Sequence, residues 1–424
     1  MTAPSPDDAP TCLWLTRFYP YPCHAGDKIY SAKLIEALAA TGCSLTVHCT
    51  AEADQRRPPS PPDGASRHVE WVRTPAAVPA RLLAYPFSRL PRQALALSAP
   101  TQRRSVLALL RRQRWDAIVV DYVAMGWILP LLEECRPDGS VRPPLIYVSH
   151  NHEASLRRAV ATSGGSPATR LALRLDAARV AALEGRLVAA ATLVTVNTEA
   201  DRTRFRDEAP KQRYEVLSPA YDGPKLRERR LTSDTPRRIV IVGSFDWIAK
   251  QRNLIEFLEA SVGPLAERGV GIDVVGRGPT LFLTAHRKRF SGVAIHGTVD
   301  AVEPYLHGAR ISVIPERVGG GFKHKALNAV FQRTPIFALA GSIAGLPLED
   351  GQSVRLLPGF AALTAAILEG IDDLEGLNAQ HNAAFAACSG RFEWAERGAF
   401  LRALIDDISH ATRGSRMPES SAPA

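Results

Sequence analysis

Val313-Ile-Pro-Glu-Arg-Val-Gly-Gly-Gly-Phe-Lys-His-Lys-Ala-Leu-Asn-Ala329 decides how this chain is read. Ile311–Ile314 is a short apolar run suited to a buried strand. Pro315 ends it, and Gly319, Gly320 and Gly321 follow. The spacing then predicts a helix over Lys323–Phe331, with Lys323 and Lys325 in its first turn. Glycine lets the backbone approach a ligand closely. An open helix N-terminus offers unpaired N–H groups and positive potential, which suits phosphate. Lysines in a first turn oppose the helix dipole, so two of them there ask for an anion; an ordinary turn with solvated lysines fits the same residues. The GxxxxGK[ST] loop of P-loop nucleotide hydrolases is absent.

Upstream, two more glycine turns follow predicted strands. Gly243 and Ser244 come after Arg238–Val242, with Lys250 and Arg252 nearby, and Gly276-Arg-Gly278 comes after Gly271–Val275. In open α/β sheets, ligands bind at the carboxyl ends of the strands, so three glycine turns with several cations suggest a phosphate-bearing ligand. Strand–helix alternation also runs through the first half. Predicted strands there are Cys12–Thr16, Leu45–Cys49, Ala117–Val120, Leu145–Val148, Leu193–Val196 and Tyr214–Leu217, and a helix is expected over Arg170–Ala190. Further strands are expected at Val293–His296, Ile311–Ile314 and Pro335–Leu339. The alternation predicts parallel sheets covered by helices on both faces. Ser218–Arg238 interrupts it with prolines and charges. The expected division is a Rossmann-like domain over 11–217, a linker over 218–236, a second Rossmann-like domain over 237–390, a closing helix over 391–410 and a disordered tail over 411–424.

With 424 residues, 46% hydrophobic and 22% charged, the chain has an ordinary globular composition, which excludes collagen-like and mostly disordered classes. No apolar run reaches the roughly 20 residues of a spanning helix, and no secretory signal is visible ahead of the first strand. Cysteines at 12, 23, 43, 49, 135 and 388 form no CxxC pair, so a reduced, cytoplasmic setting is expected. The net charge of +9 is unevenly placed: Arg81–Arg114 holds eight arginines and no Asp or Glu. Such a field draws polyanions, or is a plain solvated surface. No nucleic-acid motif accompanies it, so nucleic acid is not an expected partner.

VGSFDW (242–247), VGRGP (275–279), HGTVDAVEPYLHGARISVIP (296–315), GGGFKHKALNA (319–329), TPIFALAGSIAGL (334–346) and FEW (392–394) together resemble the donor domain of GT-B glycosyltransferases of the family 4, glycine-rich-loop type, also described as glycosyl transferases group 1. FYPYPCHAGDKI (18–29) and His150-Asn-His-Glu153 resemble that family's first domain more loosely. The resemblance implies an α/β GT-B fold, two Rossmann-like domains facing a central cleft. It implies transfer of a sugar from a nucleotide-diphosphate sugar to a saccharide or lipid-linked acceptor, retaining and metal-independent, with no cofactor, in surface polysaccharide or glycoconjugate synthesis. Donor contacts carried over are Gly243, Ser244, Lys250, Gly319, Gly320, Gly321, Lys323, Lys325 and Asn328. His150 and Asp27 are the catalytic candidates, and Gly26, His152 and Glu153 the acceptor candidates. Many relatives place glutamates where Gly320 and Asn328 stand here. That departure keeps open a catalytically silent sugar-nucleotide-binding protein; a nucleotide-sugar epimerase of the same architecture is the other alternative.

Read as bare residues, His150 and His152 alternate along an extended segment, so both face one way. The pair with Glu153 allows a metal site, a surface with no role, or hydrogen bonding to an acceptor or transition state. Asp27 fits either a helix N-terminal acid or an acceptor contact. The Arg81–Arg114 segment lies in the first domain, so an anionic membrane surface is a further expected partner, with peripheral attachment to its inner face. Leu107, Leu109 and Leu110 would either dip into that interface or pack in the core.

Overall fold

The structure is a computed structural model that describes residues 9–23, 26–51, 65–76, 79–135, 142–162, 166–317 and 321–414. Two compact units are present. One comprises residues up to Pro219 together with those from Trp394 onward; the other is Ala220–Glu393.

The first unit is built on β1 (Thr11–Phe18), β2 (Ser44–Thr50), β3 (Val69–Thr74), β4 (Ala117–Asp121), β5 (Leu145–Val148), β6 (Leu193–Val196) and β7 (Tyr214–Val216). All pair in parallel, in the order β3-β2-β1-β4-β5-β6-β7. Its helices are α1 (Gly26–Ala39), α2 (Arg92–Leu97), α3 (Pro100–Arg112), α4 (Leu129–Glu134), α5 (Glu153–Thr162), α6 (Pro167–Ala190) and α7 (Glu199–Glu208). Both faces of the sheet are covered, which is why the central strands β4, β5 and β6 read as nearly continuous apolar runs. Leu13 and Leu15 face one core with Val120, Trp127 and Leu187. Cys12 and Trp14 face the other, with Leu34, Leu38, Leu401 and Ile405.

The second unit carries β8 (Arg238–Val242), β9 (Gly271–Val275), β10 (Val293–Gly297), β11 (Ile311–Ile314), β12 (Ile336–Leu339) and β13 (Arg355–Leu357). Their order is β10-β9-β8-β11-β12-β13, again all parallel. Around them lie α8 (Ile248–Glu267), α9 (Thr280–Arg289), α10 (Glu303–His307), α11 (His324–Phe331), α12 (Phe360–Gly370) and α13 (Leu374–Cys388). Ile239, Ile241, Ile311 and Val313 pack against Phe257 of α8 and Leu363 and Ile367 of α12. Strand order reverses between β1 and β4 in one unit and between β8 and β11 in the other. Such reversals open a crevice at the carboxyl ends of the strands.

α14 (Trp394–Gly414) belongs to the first unit, where it crosses α1 closely. A Cβ on Gly398 would lie 2.2 Å from the Ala37 carbonyl oxygen, so the crossing needs glycine there. Residues 411–414, expected in the tail, complete this helix; the remainder of the tail lies outside the described residues.

The charged stretch expected as a linker is bound into the second unit from Ala220 onward. Arg229 donates to the carbonyls of His307, Ala309 and Arg333, and Leu231 is buried. Its charges read as a solvated spacer because nothing local shows that carbonyls wait for them. In the arginine-rich segment, Leu109 of α3 is buried and Leu107 and Leu110 pack partly against the same core. The core alternative is the one realised.

Candidate active-site elements in the two units

In the second unit, β11 delivers Glu316 just past its carboxyl end. The Glu316 side chain is almost fully buried and lies between two cations: Lys323 Nζ at 3.0 Å from one oxygen, and Lys325 Nζ on the other. Lys323 is the N-cap residue of α11, and Lys325 stands in its first turn. Burial alone would push the Glu316 carboxyl up, but Lys325, Lys323 and the nearby Lys250 hold it far below the ordinary carboxylate range. Burial pushes Lys325 down, opposed by Glu316. The two lysines that the sequence assigned to an anion therefore have an internal anion. Glu316 stood in the decisive stretch and was not singled out, because a lone loop carboxylate carries no periodic signal. Lys250, in the first turn of α8, makes no side-chain ion pair among the described residues and is half-buried. Gly319 and Gly320 lie outside the described residues; Gly321 takes a left-handed φ of 69°.

The two upstream glycine turns interlock. Gly243 N donates to Val275 O, and Phe245 N to Arg277 O. Gly276 has φ 141°, and a Cβ there would meet the Gly243 carbonyl oxygen at 1.6 Å. Asp246 ties the turns on the outside, accepting from Ser244 Oγ at 3.1 Å and Arg277 Nε at 2.7 Å. Asn328, one turn along α11 from Lys325, is directed elsewhere. Its Oδ1 accepts from Tyr221 Oη at 2.9 Å, and the Tyr221 ring stacks on Phe331.

In the first unit, Asp121 ends the otherwise apolar β4 and is completely buried. His150, just after β5, places Nε2 2.6 Å from Asp121 Oδ1, while Trp14 Nε1 donates to Oδ2 at 3.1 Å. Burial opposes ionisation of Asp121, but His150 and the hydrogen bonds from His150, Ser31 and Trp14 hold its pKa below the ordinary value. Tyr30 and Tyr122 stand edge-on to the His150 ring, at 5.1 and 5.5 Å between centroids. Tyr122 does so with φ 85°, a conformation that costs a bulky residue about 1–3 kcal/mol. The Arg17 guanidinium lies over the Tyr122 ring, 3.6 Å from its centroid. Arg17 also pairs with Asp27 at 2.6 Å. Burial pushes Asp27 up, yet Arg17 and His150 bring it below its usual pKa. Gly26 opens α1 one residue before Asp27.

His150 and His152 do not share a direction. The His152 ring packs on Phe205 at 4.5 Å, its Nδ1 accepts from Ser155 N, and burial lowers its pKa. The chain turns into α5 immediately afterwards, so strand alternation does not apply across the pair. Glu153 is buried as well, bound by Asn151 and Arg157. Glu184 of α6 accepts from the backbone N–H groups of Glu153 and Ala154 and from Tyr147 Oη, capping α5. Burial pushes Glu184 up to about 8 despite these donors. The ring and carboxyl of His152 and Glu153 thus anchor the segment that presents His150. Asp121, Arg17, Tyr122 and Glu184 were all missed in the sequence, since each acts through contacts between distant strands and helices. Among the described residues, no group of three or more His, Cys, Asp or Glu could hold a metal ion.

Residues 26–220 match the family described as Glycosyl transferase 4-like domain, and residues 236–373 match Glycosyl transferases group 1. The chain belongs to the group 1 glycosyltransferases of GT-B fold. Solved glycosyltransferases share the fold at low identity. Sucrose-phosphate synthase from Thermosynechococcus elongatus matches at TM-score 0.72 and 18% identity, covering 95% of this chain and 100% of that one. HepE from Anabaena, solved with UDP and glucose, matches at 0.62 and 14%, covering 94% and 99%. WaaG, a glycosyltransferase involved in lipopolysaccharide biosynthesis, matches at 0.57 and 14%, covering 93% and 99%. No curated protein matches the sequence. In this glycosyltransferase the group 1 match spans Glu316 and the lysines, while the 4-like match spans Asp27, Asp121 and His150.

Proposed function

We propose that this glycosyltransferase takes a sugar from a nucleotide-diphosphate donor and passes it, with retained configuration and without a cofactor, to a saccharide or lipid-linked acceptor in surface polysaccharide or glycoconjugate synthesis. The observation that carries the reading is the gathering of Lys250, Lys323 and Lys325 beside the interlocked glycine turns, at the carboxyl ends of β8, β9 and β11. Breaking the bond from the anomeric carbon to phosphate leaves the electron pair on the phosphate oxygen. Positive groups fixed before the reaction stabilise that charge, and the lysines with the α11 N-terminus supply them. HepE was solved in complexes with UDP and with UDP-glucose, which supports a donor of this class. His150, held by Asp121, and Asp27, held by Arg17, serve at the sugar or acceptor, with Gly26 keeping the backbone open beside them. A thermal-shift screen of UDP-, GDP-, ADP- and dTDP-sugars tests the reading, because a ligand that prefers the folded state raises its stability. Turnover then separates the outcomes: sugar transfer or donor hydrolysis supports an active transferase, epimerised donor supports the epimerase alternative, and binding without turnover supports a silent protein.

For the acceptor side we propose attachment to an anionic membrane surface. Leu83 and Phe87, in the arginine-rich segment, stand 81% and 92% exposed. Tyr85 ties that segment to α6 through Asp176, near the exposed Leu171 and Leu175. Apolar side chains amid arginines without neighbouring acids in sequence complement anionic headgroups. Such binding needs no spanning helix, and no described helix is long and apolar enough to cross a membrane. Co-sedimentation with anionic vesicles at low salt, release at high salt and weakening by Leu83→Ser with Phe87→Ser are expected. Equal binding to neutral vesicles, or none to either, contradicts it.

A further inference from the structure

Glu316 has a consequence for the ligand itself. It sits between Lys323 and Lys325 as a buried, ionised carboxylate, so two cations facing the proposed phosphate site are already partly neutralised from within. Asn328, the position where many relatives carry an acid, is neutral and bound to Tyr221. The negative charge of this site therefore lies beside the phosphate-facing lysines and not farther along α11.

Resting on the donor reading above, we propose that Glu316 is a specificity-determining residue that disfavours the free nucleoside diphosphate relative to the nucleotide sugar, and so promotes product release. The chemistry of transfer fixes the sign. The sugar–phosphate bond breaks, the electron pair stays on the terminal phosphate oxygen, and the acceptor hydroxyl proton leaves separately. Near neutral pH the product then carries about one more negative charge than the donor, since a terminal phosphate loses its second proton near pH 6. That extra charge is borne by the phosphate that meets the lysines. An ammonium contact puts it on the order of 6 Å from the Glu316 carboxylate, where repulsion between unit charges changes affinity by roughly tenfold or more. The donor, lacking that charge, is affected less.

Calorimetry on the full chain would measure the Kd of UDP, GDP, ADP and dTDP and of each matching nucleotide-glucose. Glu316→Gln is expected to tighten the diphosphate about tenfold more than the nucleotide sugar, while Glu316→Asp keeps the wild-type ratio. Lys323→Gln and Lys323→Gln with Glu316→Gln form a second pair, in which loss of the carboxylate leaves fewer uncompensated buried cations. The same shift is expected there, so the inference stays testable if Glu316→Gln alone fails to fold. Equal changes for both ligands overturn it, as does weakening of both, which would make Glu316 only a holder of the lysines. If wild-type protein binds none of these ligands, the donor reading fails and this inference with it; if wild-type binds and the ratio is unmoved, only this inference fails.

Discussion

His150 Nε2 lies 2.6 Å from Asp121 Oδ1, inside the first unit, with Trp14 Nε1 on the other oxygen of the same carboxylate. This contact engages one ring nitrogen with a buried carboxylate, and Tyr30 and Tyr122 pack on the imidazole in T-shaped contacts. Asp121→Asn keeps the size of the side chain but not the charge, and presents an N–H₂ group where His150, Ser31 and Trp14 all offer hydrogen bonds. It is expected to cost about 1–3 kcal/mol in chemical denaturation, and to reduce sugar transfer more than donor affinity.

His48 offers a pH test that involves no ligand. Both of its ring nitrogens are buried with no hydrogen-bond partner among the described residues, and burial lowers its pKa to about 4. Unfolded, it titrates near the ordinary 6.5. The unfolded state therefore binds more protons below that value, and stability falls as pH drops from about 6.5 toward 4. His48→Leu is expected to flatten the stability profile in that window. Because two unsatisfied polar atoms disappear, it is also expected to leave stability at pH 8 equal or higher. An unchanged acid slope would show that His48 is not the titrating group.

Gly276→Ala is expected to damage the second unit. The added carbon would sit 1.6 Å from the Gly243 carbonyl oxygen, and no side chain can yield there. Gly42 also has a positive φ, 87°, but open space around it, so Gly42→Ala is expected to cost only about 1–2 kcal/mol. Thermal denaturation of the two variants separates contact from backbone strain, with Gly276→Ala losing several degrees more.

The parallel sheets were readable because buried parallel strands are mostly apolar runs: β5, β6, β8, β9 and β11 start and stop where expected, although β8 opens on Arg238 and β9 holds Asp273. β3, with Glu70 and Arg73 among its apolar residues, and the short β13 carry no such run and were not expected. α9 was missed for a related reason, since Leu283 is its one buried residue and no stripe forms. At the candidate site, Lys323 and Lys325 were visible through the glycines before them. Asp121 was not, because its meaning depends on Trp14 and His150, 107 and 29 positions away. The alternation rule failed at His152 because α5 begins at the next residue.

Asn328→Glu tests the departure on α11. Tyr221 donates to Asn328 Oδ1, a bond a carboxylate can also accept. The variant is expected to fold normally and, if the ribose of the donor meets this position, to tighten nucleoside diphosphates by up to about tenfold through a charge-assisted hydrogen bond. A loss of affinity in calorimetry would set position 328 outside the ribose contact.

Lys323→Ala cannot report cleanly on phosphate binding, because it also strips a buried partner from Glu316, so its melting temperature is expected to fall along with donor affinity. Lys250 lessens that difficulty: it acts on Glu316 only through space and less than Lys325 and Lys323 do, is half-buried in the first turn of α8, and has no side-chain ion pair among the described residues. The decisive measurement is calorimetric titration of wild type and Lys250→Ala with the nucleotide sugar that stabilises the wild type most. A charge-assisted contact is worth about 1.5–3 kcal/mol, so a roughly ten- to hundredfold weaker Kd is expected, with a smaller loss of melting temperature than in Lys323→Ala. Equal affinity in the two proteins would contradict a donor diphosphate seated among these lysines.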